Sequence, residues 1–157
     1  MARVTVSRLA SAWLPVVAWA ALIFTLSSIP DLGTGLGGWD LALRKAAHVA
    51  EYAVLGALLF RALSLAGHPF HAASAVAWAW LIGATYAASD ELHQHFVPGR
   101  QASALDLVLD AAGVAVGALA IRLVRSSRLL RGASTGRSGR STGKAHAPED
   151  GAAESAP

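Results

Sequence analysis

Long apolar stretches alternate with short polar ones along most of the chain. Four stretches approach the roughly 20 apolar residues that a helix needs to cross a bilayer, and they cover Leu9–Leu26, Leu41–Leu65, Ala72–Ala88 and Ala104–Val124. The first contains no charged residue, whereas the second and the fourth carry charges near their beginnings. The pattern predicts an all-α membrane protein in which four transmembrane helices form a bundle.

The composition changes after the fourth stretch. Residues 126–157 are rich in Ser, Gly, Arg and Ala and lack apolar periodicity, which is typical of disordered chain. We therefore predict a four-helix transmembrane domain at residues 1–125 and a basic, disordered cytoplasmic tail at residues 126–157. The first stretch has an alternative interpretation as a cleaved signal peptide. Its apolar run is longer than a usual signal-peptide core and no A-x-A follows it, so we favour a retained span.

Composition supports a membrane protein and excludes thiol chemistry. The 157 residues are 54% hydrophobic and 15% charged, against about 25% charged in soluble domains. There is no cysteine, which excludes a disulfide scaffold, a Cys-ligated zinc site and a thiol nucleophile.

The positive charges predict the orientation. If the N-terminus is cytoplasmic, ten of the 13 Lys and Arg residues lie inside, and Arg44, Lys45 and Arg100 lie outside. This agrees with the positive-inside rule and predicts that both termini are cytoplasmic. The ends of the first and third helices and the starts of the second and fourth then meet at the outer surface.

Polar residues that are unusual in membrane spans gather at these four positions. At 100° per residue, three sets each share an arc of about 120° or less: Arg44, Lys45, His48, Glu51 and Tyr52; Tyr86, Asp90, His93 and Gln94; and Ser103, Asp106, Asp110, Gly113 and Gly117. Ionisable groups in a span cost at least about 2.5 kcal/mol at mid-depth, so they face the bundle interior and pair. Gly113 and Gly117 form a small-xxx-small pair that permits close helix packing. We expect one outward-facing polar pocket.

Three motifs carry a family resemblance: KAAHVAEYAVLGALL, SDELHQHFVPGRQ and ALDLVLDAAGVAVG. Together they resemble the VanZ-like family of bacterial membrane proteins over about residues 10–124. That family is named for a protein linked to low-level resistance to the glycopeptide teicoplanin. The resemblance implies an integral protein of the bacterial plasma membrane that acts at the cell envelope, with a link to glycopeptide resistance, but it supplies no reaction.

The expected function is binding of an envelope lipid, a lipid-linked precursor or another amphiphilic or anionic ligand. The expected ligand-binding residues are Lys45, His48, Glu51, Tyr52, Asp90, Glu91, His93, Gln94, Arg100, Asp106 and Asp110. The cations suit phosphate or carboxylate, and the Arg100 guanidinium suits a bidentate contact. Alternatively, the cations only neutralise the acids and lock the bundle together, and the sequence does not decide between the two interpretations.

A membrane-embedded hydrolase or transferase acting on a lipid-linked envelope substrate is the second hypothesis. Histidines and carboxylates act as acid and base, or a metal is held by Asp90, His93, His95, His48 and Glu51. His93 and His95 would point about 200° apart on a helix, which opposes a metal site there. We favour binding and expect no cofactor and no metal.

The sequence disfavours two further functional classes, proton-coupled transporters and nucleic-acid-binding proteins. The inner halves of the predicted spans contain no ionisable group, which disfavours proton-coupled transport. The basic tail lacks interleaved aromatic residues, which disfavours nucleic-acid binding. The sequence leaves the oligomeric state open.

Overall fold

The structure, a computed structural model, describes residues 6–30, 38–65, 72–100 and 103–138. Within these residues the chain forms four α-helices and no β-strand: α1 (Val6–Ser27), α2 (Gly38–Leu65), α3 (Ala72–Gln94) and α4 (Ala104–Ser138). The all-α prediction is confirmed, and each predicted span falls on one helix.

Three of the helices are long and apolar enough to cross a membrane. These segments are Val6–Ser27, Ala42–Leu65 and Ala104–Arg128. α3 is long enough, since its 23 residues extend about 35 Å at 1.5 Å per residue. It is not among the three because Ala, Gly, Thr, Tyr and Trp occupy much of it in place of long aliphatic residues.

The chain divides into two compact units, Met1–Val124 and Arg125–Pro157. In the second unit α4 continues to Ser138, whereas the sequence led us to expect disorder from residue 126. Arg128, Leu129, Leu130 and Arg131 are good helix formers, and they favour continuation of the helix at the beginning of this segment. The rest of the predicted tail, residues 139–157, lies outside the described residues.

Glycines bring the backbones of α2 and α4 into contact. A Cβ atom at Gly117 would lie 1.7 Å from the carbonyl oxygen of Ala53, and one at Gly113 would lie 2.7 Å from that of Val49. No side chain fits in these gaps, because the neighbouring atoms are backbone and cannot move aside. The predicted close approach at Gly113 and Gly117 is therefore confirmed.

Small residues also line the packed face of α3. Ala75, Ala79, Gly83 and Ala87 are buried at intervals of four residues, which places them on one side of the helix. Large apolar side chains are exposed elsewhere, including Leu14, Val116 and Leu123 at 61% or more. An apolar outer surface of this kind suits a bilayer, where lipid tails replace water around the helices.

The four polar positions meet at one end of the first unit. Ser27, the last residue of α1, is hydrogen-bonded to Asp90 near the end of α3. Lys45, in the early part of α2, is paired with Asp106 in the first turn of α4. The helices therefore alternate in direction, and their polar ends form one cluster as the sequence predicts.

Candidate functional site

A tight turn after α3 positions the arginine of the site. α3 ends at Gln94, and the backbone N–H of Arg100 donates to the carbonyl oxygen of Val97 at 3.1 Å. Pro98 and Gly99 are the central residues, and Gly99 has a φ of 82°. Proline followed by glycine at positive φ is typical of a type II turn. The turn directs the Arg100 side chain back towards α1.

Arg100 binds the C-terminal end of α1. Its Nε and Nη2 atoms donate to the carbonyl oxygens of Ile29 and Leu26 at 3.3 and 3.2 Å, and its Nη1 atom donates to Oε1 of Gln94 at 3.2 Å. Carbonyl groups at a helix end lack partners within the helix and attract cations. Within the described part of the chain Arg100 forms no ion pair, so all its hydrogen bonds there go to neutral acceptors.

Asp90 is the centre of a buried hydrogen-bond network. Only 2% of the residue is exposed, and its Oδ2 atom accepts hydrogen bonds from Ser27 Oγ at 2.7 Å, Tyr52 OH at 3.2 Å and Gln94 Nε2 at 3.0 Å. Because the Gln94 amide nitrogen donates to Asp90, its oxygen is free to accept from Arg100. The network therefore connects α1, α2, α3 and the turn.

Two acidic side chains fix the beginning of α4. The backbone N–H of Ser103 donates to the Glu91 carboxylate, and Asp106 pairs with Lys45. A carboxylate at a helix N-terminus is favoured by unpaired N–H groups and by the helix dipole.

His48 and Asp110 form a second pair between α2 and α4. Nδ1 of His48 lies 3.7 Å from Oδ2 of Asp110, and their side chains are 21% and 2% exposed. This separation is longer than a hydrogen bond. Within the described residues, Nδ1 of His48 and Oδ1 of Asp110 are buried and have no hydrogen-bond partner.

Two neighbouring cavities open at the polar end. The first, here called the polar cavity, measures about 240 Å³ and is lined by Arg44, Lys45, His48, Gln94, Gly99, Arg100, Asp106, Leu109 and Asp110. The second, the side cavity, measures about 170 Å³ and is lined by Leu26, Ser27, Arg44, Ala47, His48, Glu51 and Arg100. Arg44, His48 and Arg100 border both.

The structure separates the predicted site residues into two groups. Lys45, His48, Gln94, Arg100, Asp106 and Asp110 line the polar cavity, and Glu51 lines the side cavity. Tyr52, Asp90, Glu91 and His93 line neither of these cavities. The lining of the polar cavity contains three cationic side chains and two carboxylates, because Glu51, Asp90 and Glu91 do not contribute to it.

His93 packs against α1. Its ring stacks on Phe24 with 4.3 Å between ring centroids, and its Nε2 atom lies 3.0 Å from Ser28 Oγ. The Ser28 hydroxyl already donates its only hydrogen to the carbonyl oxygen of Phe24, so Nε2 of His93 is the donor in this contact. Among the described residues, no three histidines or carboxylates are grouped closely enough to hold a metal ion.

The sequence analysis placed the end of α1 at the polar end but included none of its residues among the expected ligand-binding residues. Ser27 donates to Asp90, and the carbonyl groups of Leu26 and Ile29 accept from Arg100. A helix that ends in Ser27-Ser28-Ile29-Pro30 leaves carbonyl groups that need donors. These carbonyl groups were the signal in the sequence that could have linked the end of α1 to Arg100.

A model of the family described as VanZ/LLP1 matches residues 4–125. The chain belongs to the VanZ/LLP1 family. The match includes α1, α2, α3 and most of α4, together with every predicted site residue. No curated protein and no solved structure matches the chain.

Proposed function

We propose that this VanZ/LLP1 family protein binds the anionic head group of an envelope lipid, or of a related amphiphile, in the polar cavity. In this proposal all four helices span the bacterial plasma membrane, both termini are cytoplasmic and the cavity opens outward. Inclusion of α3 is supported by its packing, because a Cβ atom at Gly83 would lie 2.6 Å from Val114 of α4.

The neutral surroundings of the Arg100 guanidinium are the observation that carries the proposal. Its guanidinium donates to two backbone carbonyl groups and one amide, so no contacting carboxylate among the described residues neutralises it. Lys45 is paired with Asp106. A phosphate or carboxylate head group would balance the charge of Arg100. The cavity of about 240 Å³ is smaller than typical sites for whole drug-sized ligands, which favours a head group.

Lipid affinity and stability measured together test this function. We would titrate the protein in detergent with phosphatidylglycerol and phosphatidylcholine, and compare Arg44→Gln and Lys45→Gln with the control Arg61→Gln. Arg61 is at the other end of α2. Loss of one cationic side chain from the polar cavity, in either Arg44→Gln or Lys45→Gln, should weaken phosphatidylglycerol binding about tenfold or more. Lower melting temperatures with unchanged lipid affinity would instead identify a structural ion-pair network.

The orientation has a separate test, because the chain has no native cysteine. Phe96 lies in the turn after α3 and is 75% exposed, whereas Leu65 ends α2 and is 42% exposed. A membrane-impermeant maleimide added to whole cells should label Phe96→Cys and leave Leu65→Cys unlabelled. The reverse pattern would contradict an outward-facing cavity.

The link to glycopeptides, which the family resemblance implies, is also part of the proposal. Expression in a teicoplanin-susceptible host should raise the inhibitory concentration of teicoplanin, and Lys45→Gln should reduce that effect. An unchanged inhibitory concentration for the expressed parent protein would contradict the link and leave lipid binding to be judged by titration.

The His48–Asp110 pair favours a second candidate, a hydrolase or transferase of lipid-linked substrates. A carboxylate beside one ring nitrogen orients a histidine to act as a base, and such contacts are often long in ligand-free enzymes. Phosphorus NMR of phosphatidylglycerol incubated with the protein would detect turnover. Product that forms with the parent and not with His48→Gln would support catalysis.

A further inference from the structure

The side cavity lies between the last turn of α1 and the outer part of α2. Leu26 and Ser27 contribute from α1, and Ala47 and Glu51 contribute from α2. Its exposed lining is largely apolar. Since it shares three bordering side chains with the polar cavity, the two cavities adjoin across those side chains.

The depth of the side cavity corresponds to the boundary between head groups and acyl chains. The α2 span begins at Ala42. At 1.5 Å per residue, Ala47 and Glu51 lie about 8 and 14 Å below that end. Ala47 and its neighbour Leu43 are exposed on the outside of the helix. The cavity therefore faces the bilayer at the level of the first acyl carbons.

The seam between α2 and α4 and that between α3 and α4 are closed. Backbone contacts at Gly113 and Gly117 seal α2 against α4. Glu91 is bonded to Ser103 between α3 and α4, and Gly83 packs directly on Val114 further along. An acyl chain could leave through the α2–α4 seam only if the two backbones separated, and through the α3–α4 seam only if the Glu91–Ser103 contact broke.

Near the polar end the seam between α1 and α3 is closed, because His93 stacks on Phe24 and Ser27 donates to Asp90. Further from that end an apolar groove of about 490 Å³ lies between the two helices, and it shares no lining residue with the polar cavity. Between α1 and α2, in contrast, the hydrogen bond from Trp19 Nε1 to the carbonyl oxygen of Glu51, 2.9 Å long, closes the lower part and leaves the side cavity above it.

We infer that the side cavity is a lateral opening through which the acyl chain of the bound lipid passes from the polar cavity into the bilayer. The inference rests on the proposed function and adds the class of ligand: an amphiphile whose head group lies in the polar cavity while its chain remains in the membrane. A water-soluble anion would need only the polar cavity.

Alkylation of single cysteines in the folded protein tests the opening. Ala47→Cys places a thiol in the side cavity, and Ala46→Cys places one on the adjacent exposed position that does not line it. Because alkylation follows folding, N-ethylmaleimide adds its bulk to a protein that is already folded. We would then measure binding of long-chain phosphatidylglycerol and of soluble glycerol 1-phosphate to each alkylated variant.

Alkylated Ala47→Cys should bind long-chain phosphatidylglycerol about tenfold more weakly, with unchanged affinity for glycerol 1-phosphate. Alkylated Ala46→Cys should bind both ligands like the parent protein. Unchanged binding of the long-chain lipid to alkylated Ala47→Cys would overturn the lateral opening, and so would an equal loss of both ligands. If the parent protein binds neither ligand, the proposed function itself fails, and the opening with it.

Discussion

The hydroxyl of Ser27 donates a 2.7 Å hydrogen bond to Oδ2 of Asp90, which joins the last residue of α1 to the end of α3. Both residues are 2% exposed. The same carboxylate oxygen accepts from Tyr52 on α2 and from Gln94, and Gln94 in turn accepts from Arg100. One carboxylate oxygen thus ties three helices together and holds the arginine of the site through an amide.

Replacement of Asp90 by alanine should therefore destabilise the whole bundle. It removes the acceptor for three buried donors, and one unsatisfied buried group costs about 1–3 kcal/mol. We expect the free energy of unfolding, measured in mixed SDS–detergent micelles, to fall by about 3 kcal/mol. Ser89→Ala is the matched control, because Ser89 is exposed and, among the described residues, its hydroxyl bonds only to the carbonyl oxygen of Tyr86 within its own helix. Equal effects of the two substitutions would contradict the central role of Asp90.

The glycine contact between α2 and α4 gives a second prediction. Gly117→Ala gains about 1 kcal/mol of helix propensity, but the new Cβ atom meets the Ala53 carbonyl oxygen. Overpacking costs about 1–3 kcal/mol, and here backbone would have to move, so we expect a net loss of stability in the same unfolding assay.

Ala120→Leu is the control for that substitution, since Ala120 is exposed on the same helix. Its change in the free energy of unfolding should stay within about 0.5 kcal/mol. A stabilised Gly117→Ala variant would show that α2 and α4 can separate without cost.

The sequence predicted which helix faces carry polar residues, because helical periodicity is a local property. The arcs on α2 and α4 placed Lys45, His48, Asp106 and Asp110 around one pocket, but they did not predict which of these residues pair. Periodicity does not reveal which distant group accepts a hydrogen bond, and so the arcs placed Asp90 in the pocket although Ser27 and Tyr52 enclose it. A proline followed by a glycine indicates a turn at Pro98-Gly99. The contact between Arg100 and the α1 carbonyl groups, in contrast, depends on packing between segments about 70 residues apart.

The two ionisable pairs between α2 and α4 should differ in strength. A double-mutant cycle on His48→Ala and Asp110→Ala should give a coupling energy within the range of about 0.5–3 kcal/mol, because Asp110 is buried. The Lys45–Asp106 pair is 28% and 30% exposed, and its coupling should be at most about 1 kcal/mol. Salt should weaken the Lys45–Asp106 coupling more than the His48–Asp110 coupling. A coupling near zero for His48 and Asp110 would show that they are neighbours without a mutual interaction.

Arg100→Lys separates the charge of the arginine from its geometry. Lysine keeps the positive charge beside the polar cavity but carries a single ammonium group, which cannot reproduce the planar fork that bonds Leu26, Ile29 and Gln94. We expect the free energy of unfolding to fall by about 2 kcal/mol, since hydrogen bonds to charged groups contribute about 1.5–3 kcal/mol.

Arg61→Lys is the matched control, because Arg61 makes one exposed hydrogen bond of 3.5 Å to the Ser11 carbonyl oxygen. It should leave stability within about 0.5 kcal/mol of the parent protein. If Arg100→Lys is as stable as this control, the guanidinium fork does not hold α1, and the position of Arg100 must depend on the Val97–Arg100 turn alone. If it is less stable but still binds phosphatidylglycerol, the charge of residue 100 acts on the ligand independently of its role in the fold.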